Sequence, residues 1–368
     1  MKDTIKFLKS FSWKILTWLT RPVNLVMKAG IFLCLTGFGG ANLASFDVIH
    51  RAADGSTTSV SIEANNNSFF IEWILTGVGI IGLLMVVGES IYIIKKRRKV
   101  LNLVIEHTAL REKLGSPLIN AVSRIPGGSD TLPIDLYPYY SNNVVNNPDG
   151  ATSLTMHSLI DTLKSKIQQA GSREITIHYG GTPPVPLGFL AGYLLGSTYK
   201  LVTWDYDRDG SSWYQLGGYG DSNKPIIDLK DYQTNSEVAL IMEISHPVSI
   251  EDVRKVAPTF PCIRVTMPSI RYDNMRSLEK LQAFQSEFRE LLKRLNSDGV
   301  EKVHIFCAAQ ASFNFSMGRQ VSRNHPKCII YEYNRNEIIK YPWGVMINSL
   351  GSDGKIVHVN GTSKAIYS

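Results

Sequence analysis

The chain has 368 residues, a hydrophobic fraction of 44% and a formal net charge of +7. That is enough chain for two or three domains and enough apolar mass for a sizeable core. Its four cysteines, at 34, 262, 307 and 328, are scattered without a C-x-x-C pair, which argues against a disulfide framework and a cysteine-held zinc site and points to a reduced compartment.

Residues 1–22 form a basic segment. Within residues 5–19, Lys6 and Lys9, with Lys2 before them, stand apart from Ile5, Leu8, Ile15 and Leu19. This suits either an interfacial amphipathic helix or a plain basic leader. Residues 23–46 are apolar and carry only Lys28, and residues 69–94 are apolar with only Glu72 and Glu89. Each exceeds the roughly 20 residues that cross about 30 Å of hydrocarbon, and the first is too long and starts too deep for a cleaved signal peptide. Both predict transmembrane helices, with residues 47–68 as the connecting loop. Lysines and arginines crowd before the first span and at 95–99 after the second. By the positive-inside rule both termini are cytoplasmic and the loop is extracytoplasmic. The basic balance therefore speaks of anionic lipid more than of nucleic acid.

Apolar residues at 100, 103, 104, 110 and 114 keep helical spacing, so the second span is expected to continue as a helix into a linker, 95–149 in all. From 150 to 368 the pattern alternates. Helices are expected at 154–170 (Gly171 as C-cap), 185–195, 249–256 (Ser249 as N-cap), 274–295 and 313–321. Strands are expected at 175–179, 200–206, 237–245, 303–307 and 328–333. Such alternation predicts an α/β domain on a mostly parallel sheet.

This domain repeats itself. ITIHYGGTPPVPLGFLAG and VHIFCAAQASFNFSMG each place a strand histidine fourteen residues before a helical glycine: His178 and Gly192, His304 and Gly318. A second strand then ends in WDYD (204–207) or YEYN (331–334), with Asp205 and Glu332 27 and 28 residues past the histidines. The pattern predicts two fused copies of one Rossmann-like unit.

In open parallel sheets ligands sit beyond the carboxyl ends of the strands, beside helix N-termini. In the first copy that edge carries Gly180, Gly181, Thr182 and Pro183; in the second, Ala308, Ala309, Gln310 and Ser312. Small residues let main-chain amides approach a phosphate. Trp204, Tyr206, Tyr331 and Tyr333 end the neighbouring strands, able to stack nucleobases, with Arg208 and Arg335 just beyond. The plainer alternatives are tight helix packing for the small residues, core or rim positions for the aromatics, and structural roles for the two histidines. No G-x-G-x-x-G followed by a ribose-binding acid occurs, nor any G-x-x-x-x-G-K-[ST], H-E-x-x-H or G-x-S-x-G, and Cys307 is expected to be a core thiol. No catalytic set and no metal site is expected.

With EVALIMEISHPVSIEDV (237–253) and CIIYEY (328–333), these motifs make residues 150–368 resemble a SAVED domain. The two spans in front make the whole chain resemble transmembrane-SAVED effectors of bacterial CBASS antiphage defence. The resemblance implies a fold class: a two-helix transmembrane hairpin plus a cytosolic α/β domain of two fused CARF-like units, about 150–260 and 261–368. It implies a cyclic di- or trinucleotide ligand made by a cognate CD-NTase synthase, with no other cofactor, and adds Tyr179, Ser245, His246 and Phe313 to the ligand-binding candidates. It further implies ligand-driven oligomerisation and disruption of the inner membrane, ending in abortive infection. Gly37, Gly40, Gly77, Gly82 and Glu89 would let the hairpins cluster in lipid. No nuclease domain is present, so DNA binding is not expected. A membrane-tethered ring nuclease and a non-permeabilising adaptor stand as alternatives.

Overall fold

A computed structural model describes residues 25–41, 45–51, 57–63, 68–109, 115–141, 144–217, 223–230, 232–233, 235–272 and 274–359. The chain divides into two units, Met1–Lys99 and Val100–Ser368.

In the first unit, helix α1 (Leu25–Ala41) and helix α2 (Ser68–Lys99) are joined through an antiparallel hairpin of β1 (Ser45–Arg51) and β2 (Thr57–Glu63). The expected loop is thus built largely of strand. Within α2, Trp73–Lys95 is the one stretch among the described residues long and apolar enough to cross a membrane, with 23 residues at mean hydropathy 2.1. Helix α1 is shorter than the apolar segment that predicted it. Its 17 residues span about 26 Å at 1.5 Å each, and strand β1 begins at Ser45. Glycine makes the α1–α2 contact possible. A Cβ on Gly30 would meet the Gly82 carbonyl oxygen at 2.9 Å, and one on Gly37 would meet the Leu75 carbonyl oxygen at 2.6 Å.

Residues 100–108 form a strand, β3 (Val100–Thr108), rather than the expected helix. The strand lies inside a parallel sheet, so both faces are buried and the sequence runs almost continuously apolar. Such a run can mimic helical spacing. Within the expected linker, helix α3 (Leu118–Val122), strand β4 (Gly128–Asp135) and the short pair β5 (Tyr140–Ser141) and β6 (Val144–Val145) are all ordered. Asn147 then caps helix α4 (Pro148–His157) by accepting from the Gly150 N–H at 2.9 Å, with Pro148 at the first helical position. A π turn (Ser158–Thr162) carries the chain into α5 (Leu163–Ala170), which ends at Gly171 with φ of 62°.

Strand β7 (Glu174–Gly181), helix α6 (Val185–Leu195), β8 (Lys200–Asp207) and β9 (Ser212–Gln215) complete the first sheet. The remaining chain gives β10 (Ile226–Asp228), β11 (Glu237–Glu243), α7 (Ile250–Val256), β12 (Cys262–Thr266), α8 (Leu278–Ser297), β13 (Lys302–Ala308), α9 (Ala311–Gly318), β14 (Lys327–Glu332), β15 (Trp343–Ile347) and β16 (Ile356–His358). Ser249 caps α7 and Ser277 caps α8, each accepting a main-chain N–H three residues on.

The doubling is visible in the topology. The first sheet runs β4-β3-β7-β8-β9 and the second β10-β12-β11-β13-β14-β15-β16. In each, four parallel strands stand in the order second, first, third, fourth, followed by an antiparallel fifth. The second sheet begins at Ile226, so the copy boundary expected near 260 falls inside it. Helices α6 and α9 lie between the sheets and are exchanged: α6 packs on β14 and β15, α9 on β7 and β8. They cross at the two repeated glycines. A Cβ on Gly192 would overlap the Phe315 carbonyl, and a Cβ on Gly318 would overlap the Phe189 carbonyl. Each glycine stands fourteen residues past its histidine and each phenylalanine eleven, so the contact is reciprocal.

Candidate functional site

Reversal of strand order leaves a crevice at the carboxyl edge, between the first and third strands of a doubly wound sheet. Here both sheets open their crevices onto one cavity of about 830 Å³. The first half contributes Gly181, Thr182, Pro183, Tyr206 and Arg208; the second contributes Ser245, His246, Ala309 and Gln310. These nine sequence candidates line one cavity. Gly181 is required there because a side chain would overlap the His107 carbonyl, whose oxygen accepts from the Thr182 N–H at 2.9 Å. In the second half the Ala308 carbonyl accepts from the Ile244 and Ser245 N–H groups at 3.2 and 2.8 Å. The buried hydroxyls of Thr182 and Ser245 find no partner among the described residues. Buried polar groups are normally paired, so both are available to a ligand.

The other candidates fall elsewhere. Tyr179 is buried, pairs with His107 Nδ1 at 2.9 Å and stacks on Phe315. Phe313 is core, Ala308 ends strand β13 and packs against a core cluster on one face of the second sheet, and Gly180 leaves room for Trp213 and Leu118. Trp204 and Tyr331 are buried partners of the repeated histidines. The Trp204 indole N–H donates to His178 Nδ1 at 3.1 Å, so the neutral ring donates from Nε2 to Asn102 at 3.2 Å. In the second half His304 lies between Tyr331, at 2.9 Å, and Glu237, at 2.8 Å. Burial lowers the His178 pKa to about 4 and lowers that of His304. The histidines are therefore structural, as the plainer reading had it. Burial pushes the Cys307 thiol up, and it donates to Asn314 at 3.3 Å, so it is no nucleophile.

Sequence reasoning missed the acids. Asp205, Asp207, Asp209 and Glu332 all line the cavity, with Tyr140, Tyr214, Tyr272 and Arg276. Arg276 pairs with Asp207 at 3.0 Å and lies over the Tyr214 ring at 4.8 Å. The Gly210 N–H, then Arg276, holds Asp207 below the usual carboxylate range.

Asp205 and Glu332 change the chemistry of the edge. The sequence suggests open main-chain N–H groups for phosphate at the starts of α6 and α9. Instead each start is occupied by a carboxylate of the opposite half. Glu332 Oε2 accepts from the Val185 N–H at 2.9 Å. Asp205 accepts from the Ser312 N–H at 3.1 Å, from the Ser312 hydroxyl and from the Gln310 amide at 3.4 Å. Ser312 is thus a cap partner, not an open contact. Burial pushes Asp205 up to about 6, against the opposing Ser312 bonds, and pushes Glu332 up to about 8. The recurring D and E of WDYD and YEYN were the available signal.

A second cavity of about 370 Å³ adjoins the first through Glu332 and Tyr140, and its walls include the remaining candidates, Tyr333 and Arg335. No group of three or more histidine, cysteine or acidic side chains able to hold a metal occurs among the described residues.

Residues 159–347, just over half of the chain, match the model of the SMODS-associated and fused to various effectors sensor domain, SAVED. The chain belongs to the SAVED family. Residues 5–152 match the SAVED-fused 2TM effector domain, so this SAVED protein joins its sensor to a two-helix membrane effector. Solved SAVED structures resemble it at 11% identity. The Acinetobacter baumannii Cap4 SAVED/CARF-domain containing receptor with the cyclic trinucleotide 2'3'3'-cAAA aligns with a TM-score of 0.44 over 73% of this chain and 58% of that one. Cap4 from Moraxella osloensis aligns at 0.42 over 73% and 59%. The chain thus spans under two thirds of these receptors. No curated protein matches it.

The N-terminal glycines also sort in two. Gly37 and Gly82 face the partner helix within the hairpin, where side chains would collide with main chain, while Gly77 and Gly88 would meet nothing within 4 Å. Glu89 is half-buried on α2. The surroundings of Gly40 and all of residues 5–19 lie outside the described residues.

Proposed function

We propose that this SAVED protein binds one cyclic oligonucleotide in the cavity between its two sheets and, once loaded, oligomerises and breaches the bacterial inner membrane through its helical hairpin. Both termini would then be cytoplasmic, and the synthase that makes the ligand would act in the same cell. The observation that carries this is the shared cavity. Two crevices of the kind that hold nucleotides open onto one space, with unpartnered hydroxyls on each side. A two-fold site suits a ring whose nucleotides repeat, and Arg208 on the rim supplies charge for its phosphates. The solved Cap4 receptor holds a cyclic trinucleotide, which sets the first ligands to try. The test is dye release from liposomes carrying the full-length protein, on addition of each ring from a panel of cyclic di- and trinucleotides. Release with one ring and none without it supports the proposal. Linear products in the same samples favour the ring nuclease. Binding without release favours the adaptor.

A further inference from the structure

The two cross-capping acids are equivalent in position but not in supply of donors. At the start of α9, Ser312 offers Asp205 both a main-chain N–H and a hydroxyl, and Gln310 adds its amide. At the start of α6, the residue following Val185 is Pro186, which has neither an N–H nor a hydroxyl. Glu332 is therefore left with the single bond from Val185, and its Oε1 accepts from no described residue. Burial pushes this half-buried carboxyl, so short of donors, up to about 8, and two N–H donors brought by a ligand would draw it back to the carboxylate form. Its side chain forms part of the wall of both cavities. The smaller one is faced by Tyr140, Tyr333 and Trp343, with Arg335, Asn334 and Asn336, and its volume of about 370 Å³ exceeds that of one purine base.

We propose that Glu332 is a specificity determinant: a guanine of the cyclic oligonucleotide enters the second cavity and sets its N1–H and N2–H donors against the two carboxylate oxygens. This rests on the reading of the main cavity as the cyclic-oligonucleotide site. Among the common bases, guanine alone carries two adjacent N–H donors on its pairing edge. Adenine offers one donor beside an acceptor, so one carboxylate oxygen would face a lone pair. The aromatic side chains supply the stacking surface that such a base needs.

The experiment uses the full-length protein in detergent and measures affinities for three cyclic trinucleotides: all adenine, one adenine replaced by guanine, and one replaced by inosine. Inosine keeps N1–H and lacks the N2 amine. The guanine ring is expected to bind on the order of 10- to 100-fold more tightly than the all-adenine ring, with the inosine ring between. Glu332→Gln presents one acceptor and one donor, the pattern that pairs with adenine, so it should erase or reverse that order while still unfolding in one cooperative transition. The wild-type series needs no variant, so misfolding of Glu332→Gln would leave it standing. Equal binding of the three rings, or a preference that Glu332→Gln leaves unchanged, overturns the role of Glu332 alone. Failure of every ring to bind overturns the cavity reading and this inference with it.

Discussion

Replacing Gly192 by alanine places a methyl group where α6 and α9 touch. Its carbon would stand 2.9 Å from both the Phe315 carbonyl carbon and the Arg319 nitrogen, against about 3.5–4.0 Å for an unstrained contact. The obstacle is main chain, so no rotamer change relieves it, and the helices must part by about 1 Å. Overfilling of this kind costs about 1–3 kcal/mol. Alanine also favours a helix over glycine by about 1 kcal/mol, so the two effects oppose each other. Because the shared core of both sheets must open with the helices, the packing cost falls at the upper end of that range, leaving a net loss of about 2 kcal/mol. At about 2–4 °C per kcal/mol, Gly192→Ala should lower the unfolding midpoint by about 4–8 °C. Gly318→Ala, whose carbon would stand 2.7 Å from the Phe189 carbonyl carbon, should do the same. The double variant should lose little more than either single one, since one separation makes room for both methyl groups. Gly217→Ala is the control, as its side chain would meet nothing within 4 Å. Tryptophan fluorescence on heating the detergent-solubilised protein reads all four. A raised midpoint for Gly192→Ala, which helix propensity alone would give, or strict additivity in the double variant, refutes the reciprocal contact.

Gly37→Leu and Gly82→Leu should prevent the hairpin from closing and expose it to protease, whereas Gly77→Leu and Gly88→Leu should leave it protected. Glu332 holds its proton in the folded protein up to about pH 8, above its unfolded value. The stability it contributes is therefore complete below about pH 4.5 and lost as pH rises through 8. Denaturant melts from pH 5 to pH 8 should show wild type losing up to about 4 kcal/mol relative to Glu332→Gln, at about 1.4 kcal/mol per unit. His178→Ala leaves the Trp204 indole N–H and the Asn102 Oδ1 without their partner in the core and should cost about 1–3 kcal/mol. Ligand affinity should stay within about twofold, as measured by titration.

The doubling was legible because each copy keeps one spacing from strand histidine to helical glycine, and the crossing of α6 and α9 gives that spacing its physical reason. Caps were legible at Ser249 and Gly171. Strand β3 was not, because a strand buried on both faces writes no alternation. Strand β4 and the start of α4 were hidden by the Gly, Pro and Asn around them, of which Asn147 and Pro148 in fact begin a helix. Of the small-residue edge, Gly181, Thr182 and Ala309 line the cavity, as does Ser245, which the resemblance had added. The aromatic reading failed at Trp204 and Tyr331, which the histidines draw into the core. No local pattern says that Asp205 and Glu332 cross to the opposite half, because that contact joins residues more than a hundred positions apart.

Function of this chain would begin with one ring filling the cavity shared by its two halves. Isothermal titration of the full-length protein against the cyclic di- and trinucleotide panel is the test, with Ala309→Trp, which sets an indole into that cavity, run in parallel at an unchanged unfolding midpoint. The account predicts one ring bound per chain in the wild type and none in Ala309→Trp. Equal binding by both proteins, or two rings per chain, would contradict it.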